Sequence, residues 1–174
     1  MTKQPDSRLA TGDAWRIAVD LVADAGDWSG LGANAQAIVQ RAADAVAAVP
    51  GMVGADRDVT VALSSDAAVL ALNAQFRGKA KATNVLSFPA GGGAAADFLG
   101  DVILAAETVA REATEQGTPF AHHVQHLVVH GILHLIGYDH ETAEDAERME
   151  ALEIAILGGL GIENPYTGAL DAAT

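Results

Sequence analysis

Apolar and polar positions alternate along this chain in a way that separates short strands from longer helices. Residues from Trp15 to Val22 alternate well enough for a first strand, which the turn-rich stretch Gly26 to Gly30 ends. Over residues 33–49 the period changes: Ile38, Val39, Ala42, Val46 and Val49 fall on one helical stripe, closed by Pro50 and Gly51. Asp58 to Leu63 is again strand-like. Ser65 is placed to cap a helix running to about Phe76, with Asp66 in its first turn suiting the helix dipole. Thr83 to Phe88 is a β-branched and apolar run stopped by Pro89, followed by a glycine and alanine loop, Ala90 to Ala96, that reads as mobile. Leu99 to Leu104 makes a fourth strand, and a helix over about Glu107 to Gln116 ends at Gly117. Pro119 suits the first turn of the next helix, which is expected to bury Phe120, Val124, Leu127, Val128 and Leu135. A final helix, about Ala143 to Leu157, turns Met149, Leu152 and Ile156 inward and is expected to stop at Gly158 and Gly159.

These elements predict an α+β fold. A single domain over residues 12–160 would hold a small mixed four-stranded sheet packed with about five helices, flanked by tails at 1–11 and 161–174. Half the residues are apolar and only 5% aromatic, so the core must be built mainly from Ala, Val, Leu and Ile. No cysteine is present, which excludes disulfides, thiolate zinc sites and cysteine nucleophiles. The N-terminal stretch has neither a charged leader with an apolar segment nor about 18 uncharged apolar residues in a row, so a cytoplasmic location with no membrane partner is expected. A net charge of −13 argues against broad polyanion binding. Its distribution changes the picture: Arg77, Lys79 and Lys81 cluster within five residues, a basic patch able to hold a nucleic-acid strand, while Asp139, Glu141, Glu144, Asp145, Glu147, Glu150 and Glu153 crowd a later stretch.

All six histidines fall between His122 and His140, and His130, His134 and His140 have the spacing HxxxHxxGxxH. On a helix, residues four apart share a face with Cβ atoms about 5–6 Å apart, so His130 and His134 can aim at one point. Gly137 is a natural left-handed terminator that lets the chain fold back and bring His140 to the same point. Three nitrogen ligands at roughly 2.0–2.1 Å would leave one tetrahedral position of Zn²⁺ open, as in a catalytic site, and one zinc ion per chain is expected at the C-terminal end of this long helix. Imidazole also suits nickel, copper and iron, so the ligands alone do not select the metal. His126, one turn before His130, suits hydrogen bonding behind the metal, RNA contact or a plain helix surface. His122 and His123 are expected to face solvent. Asp139 suits either orienting a ligand histidine or capping the turn after Gly137.

The same ligand spacing occurs in metzincin peptidases, but those enzymes need a glutamate directly after the first histidine to take a proton from the zinc-bound water. Here that position is Gly131. A zinc centre without that base still suits esters and phosphodiesters. Ser87 and Thr83 have no evident base partner and are not read as nucleophiles.

The run from His126 to His140 resembles the signature of the YbeY family of bacterial metal-dependent endoribonucleases. Leu72 to Lys79, followed by Thr83 to Pro89, is similar to that family's arginine turn and strand, and Gly100 to Leu104 to a further strand, so the likeness spans about Leu63 to Gly158. The resemblance implies a single-strand-specific endoribonuclease acting in 16S rRNA 3′-end maturation and ribosome quality control. Its partners would be single-stranded or ribosomal RNA and ribosomal small-subunit proteins, with no DNA substrate expected. It further implies that His130, His134 and His140 hold zinc and that Arg77 and His134 are catalytic. Arginine suits this part, because its planar fork matches two phosphate oxygens. Asn84 stands where the family usually has Asp, which removes any ion pair at that position but leaves a hydrogen bond. Two other readings compete: a ribosome-assembly factor with a mainly structural metal site, and a zinc hydrolase of another substrate, metalloprotease-like included.

Overall fold

The computed structural model describes residues 15–79, 81–91 and 97–167. The predicted N-terminal tail, residues 92–96 of the predicted loop and residues 168–174 lie outside the described residues. Four strands, β1 (Ile17–Ala23), β2 (Arg57–Ser64), β3 (Val85–Pro89) and β4 (Phe98–Ala105), form one sheet in the order β1-β2-β4-β3. β1, β2 and β4 run parallel, and β3 pairs antiparallel with β4 at the edge, giving the mixed sheet that the pattern predicts. Five helices surround it: α1 (Ala35–Ala47), α2 (Asp66–Arg77), α3 (Ala106–Gln116), α4 (Phe120–Ile136) and α5 (Ala143–Gly159).

The period-two pattern decides which way the sheet faces. Val59, Val61 and Leu63 of β2 lie beside Gly100, Val102 and Leu104 of β4, and all of them are buried on one side. Against that side pack α1, through Val39, Ala42, Ala43 and Val46, and α4. α4 is apolar around most of its circumference because it touches the sheet, α1, α3 and α5 at once. The opposite side of β3 and β4 carries a second, smaller core, in which Val69 and Leu72 of α2 meet Leu86, Phe88, Ile103 and Ala105.

Ser65 caps α2 as expected, accepting from the Ala68 amide at 3.2 Å. Phe120 and Leu152, expected inside, are only half-buried; Phe120 lies 5.9 Å from the Trp28 ring. α5 ends at Gly159, as the sequence predicts, although neither Gly158 nor Gly159 takes a left-handed conformation. The left-handed turn comes at Gly161 (φ 75°), where the Ile162 amide returns to the Leu157 carbonyl at 2.9 Å. Ile162 is thereby buried and Tyr166 half-buried, so residues 161–167, expected as tail, pack against the domain.

Candidate metal centre

α4 places His130 and His134 one turn apart near its C-terminus. Gly137 ends the helix at φ 114°, with its amide on the His134 carbonyl at 3.1 Å and the Tyr138 amide on the Leu133 carbonyl at 3.0 Å. At such a φ any other residue is strained. The reversal returns His140 to the same point: one nitrogen from each of His130, His134 and His140 lies within 4.8 Å of the others. The Nε2 atoms of His130 and His134 are 3.0 Å apart, and the His140 ring centroid lies 5.0 Å from that of His134. Tetrahedral ligands on one zinc-sized ion sit about 3.3 Å from each other. The donor separations bracket that value, so the three imidazoles fit a single transition-metal ion.

Behind the histidines stands a residue that the sequence reading placed only in an acidic run. Glu153 of α5 has no exposed surface. Its carboxylate faces His130 Nδ1 at 2.5 Å and His126 Nε2 at 3.2 Å, and it accepts a hydrogen bond from the Tyr166 hydroxyl. Burial by itself would raise the Glu153 pKa, but hydrogen bonds from His126, His130 and Tyr166 and the charge of His130 outweigh it and hold the pKa at about 2. As an anion, Glu153 accepts the Nδ1 proton of His130, which leaves Nε2 free toward the shared point. Tyr166 is correspondingly pushed above the ordinary phenol range by burial and by Glu153.

His134 is driven down to about 4 by burial and by the neighbouring His130 and His140, so it is neutral at pH 7, the form a metal requires. The spacing of α5 carried a signal for Glu153: Met149, Glu153, Ile156 and Leu157 share one buried stripe, and a carboxylate there demands partners.

The remaining polar residues divide by element. His126 is tied to Glu153, and its Nδ1 is buried without a partner among the described residues. His123, expected in solvent, is buried and bonded to Glu112 of α3 at 2.8 Å; burial lowers its pKa even against the pull of that carboxylate. A helix this deeply inserted has no free face for it. His122 is half-buried. Asp139 accepts from the Glu141 amide at 3.2 Å and so caps the turn; it contacts no histidine among the described residues. Asn84 donates to both Glu112 oxygens, at 3.2 and 3.0 Å, and thus faces α3, away from both Arg77 and the ligands.

Arg77 ends α2 in solvent. Its Nη2 donates to the Ser87 carbonyl at 2.8 Å on the edge strand, and its guanidinium carbon lies 5.7 Å from the Phe88 ring centroid. Ser87 in turn donates through Oγ to the Gly131 carbonyl at 3.1 Å, next to His130. Gly131 itself is buried, and a Cβ there would meet Val102 Cγ1 at 2.6 Å. A side chain at this position would therefore point into the sheet, so the missing peptidase glutamate has a packing cause as well as a chemical consequence.

Residues 27–161 match the family model described as Endoribonuclease YbeY. The chain belongs to the YbeY family. Curated relatives agree. Endoribonuclease YbeY of Rhodopseudomonas palustris strain BisB5 is 49% identical over 144 residues, covering 77% of this chain and 74% of the relative. The protein of the same name from strain CGA009 is 49% identical over 174 residues, covering 94% and 89%. The solution structure of TM1509 from Thermotoga maritima superposes with a TM-score of 0.52 at 27% identity, covering 82% of this chain and 91% of that one. The family-model match begins at residue 27, upstream of the motifs that reveal the likeness in the sequence.

Proposed function

We propose that this chain is a zinc-dependent, single-strand-specific endoribonuclease that acts in 16S rRNA 3′-end maturation and ribosome quality control in the cytoplasm, alongside ribosomal small-subunit proteins. The observation that carries this reading is the convergence of His130, His134 and His140, with Glu153 behind them, in a chain of the YbeY family. Among the described residues no helix is long and apolar enough to cross a membrane.

His130, His134 and His140 would hold the ion, and His134, neutral at working pH and so able to give it a lone pair, would be catalytic through the ion it holds. Zinc, when bound, supplies a Lewis acid for a phosphate oxygen and a water whose pKa falls toward about 7. Glu153 keeps the His130 ring in its ligating orientation. Arg77, always charged, offers its unused N–H groups to two phosphate oxygens and offsets the negative charge that grows during phosphodiester cleavage. RNA brings its own 2′-hydroxyl, so a 2′,3′-cyclic product end would show that this group attacks.

The deciding experiment is cleavage of single-stranded RNA by purified protein loaded with Zn²⁺, comparing the parent chain with His134→Ala and Arg77→Ala. The parent should cut and both variants should lose most of that activity; equal rates in all three would sink the nuclease reading. Elemental analysis should find about one zinc per chain, lost in His130→Ala.

A further inference from the structure

We infer that Phe76 is a stacking platform for one base of single-stranded RNA, with Lys79 and Lys81 holding neighbouring phosphates. This deepens the endoribonuclease reading and rests on it. Phe76 is 62% exposed, the most exposed of the large apolar side chains among the described residues. It stands three residues after buried Asn73 and seven after buried Val69, so it lies on the inward stripe of α2, yet its ring stays largely uncovered. Phe88 holds one flank of the ring edge-on, with centroids 5.6 Å apart and planes at 68°. The ring is thus fixed on one side and open to solvent elsewhere, ready for a second π-face.

The basic turn beside it is also built. Gly78 ends α2 in the left-handed conformation, the Lys79 amide returns to the Asn73 carbonyl at 3.3 Å, and buried Asn73 donates its side-chain amide to the Lys81 carbonyl at 2.9 Å. Arg77, Lys79 and Lys81 are three of only 10 Lys and Arg residues in a chain of charge −13. None of the three has a carboxylate within ion-pair distance among the described residues. Cations unpaired among the described residues of so acidic a chain, grouped around an open aromatic ring, match the combination that grips single strands: phosphates on basic groups and bases on aromatic faces. A protein partner seated by apolar contact would want a continuous apolar patch, whereas the neighbours of Phe76 on this turn are charged. The contacts from Arg77 through Ser87 to Gly131 connect the platform to the ligand-bearing helix.

The test uses the full chain with His134→Ala in the background, so that cleavage does not enter, and a fluorescein-labelled oligouridylate of roughly 12 nucleotides. Adding Phe76→Ala or Phe76→Leu should weaken binding about 5- to 100-fold. Phe76→Trp should restore it, with the indole fluorescence quenched on binding. Lys79→Ala and Lys81→Ala should each lower the slope of log affinity against log salt by about 0.7. Unchanged affinity in both Phe76→Ala and Phe76→Leu overturns the platform, even where the parent chain cleaves RNA normally. A Phe76-dependent affinity in a protein that never cleaves RNA supports the platform and overturns the nuclease reading instead. Loss of binding to small-subunit ribosomal proteins with RNA affinity unchanged assigns the face to a protein and overturns the inference.

Discussion

His130 is backed by a carboxylate with no exposed surface, itself bonded to His126 and Tyr166, whereas Arg77 is exposed and bonded to a single backbone carbonyl at the sheet's edge. Both present nitrogen to a ligand, but by opposite means. His130 and His134 lose part of their hydration and gain fixed geometry, because a buried anion aligns the His130 ring and the helix sets their spacing. Arg77 keeps most of its hydration and N–H groups, so it can turn toward a phosphate with little loss. Orientation is therefore a property of the buried α4 and α5 pair, and attraction a property of the edge.

The largest expected effect breaks the two regions apart. His134→Ala should abolish metal binding and cleavage together, while Arg77→Ala should reduce cleavage by about 100-fold or more with zinc content unchanged. Elemental analysis beside the cleavage rate checks this, and zinc loss in Arg77→Ala would contradict the division.

Glu153→Gln keeps the size of the side chain but removes its charge. Zinc affinity, measured by chelator competition, should fall roughly 10-fold or more. Acid should expose the same residue in the metal-free protein. Its pKa of about 2 lies below the value of 4.5 expected when unfolded, so its stabilisation is complete above pH 4.5 and is lost as pH falls toward 2. His134, at about 4 against 6.5, acts earlier: the unfolded chain binds its proton first, and stability declines as pH falls from 6.5 to 4. Urea unfolding at pH 7, 5 and 3 should show both declines, and Glu153→Gln should flatten only the more acidic one.

Gly131→Ala should cost about 1–2 kcal/mol, the clash with Val102 outweighing the gain in helix propensity. A thermal melt checks it; unchanged stability would mean that α4 can lift from the sheet. The smallest change concerns Asn84→Asp, which sets a second carboxylate against Glu112 in place of an amide donor. A loss under about 1 kcal/mol at pH 7 is expected in a thermal melt.

Much of this molecule was legible because its signals are local. Strand alternation around Val59 and Val102, the Ser65 cap and the Gly137 terminator each depend on a few neighbouring residues, and the convergence of His130, His134 and His140 follows from helix spacing plus one glycine. The misreadings all involve partners distant in the chain. His123 looked exposed because its partner Glu112 belongs to another helix, and Glu153 passed for one more acid of a charged run because His126 and His130 lie on α4.

By itself the sequence determined the elements, the α+β class, the histidine triad and the basic turn, since periodicity and short spacings are written in consecutive residues. Only the tertiary structure decided that Glu153, 23 positions after His130, is the anion behind that histidine, and that Gly131 faces the sheet. It also left the Phe76 ring largely exposed beside Phe88. The physical reason is the same for all three: which carboxylate is desolvated, which Cβ has room and which ring stays uncovered depend on how helices and sheet pack, and one chain segment does not encode its neighbour's position.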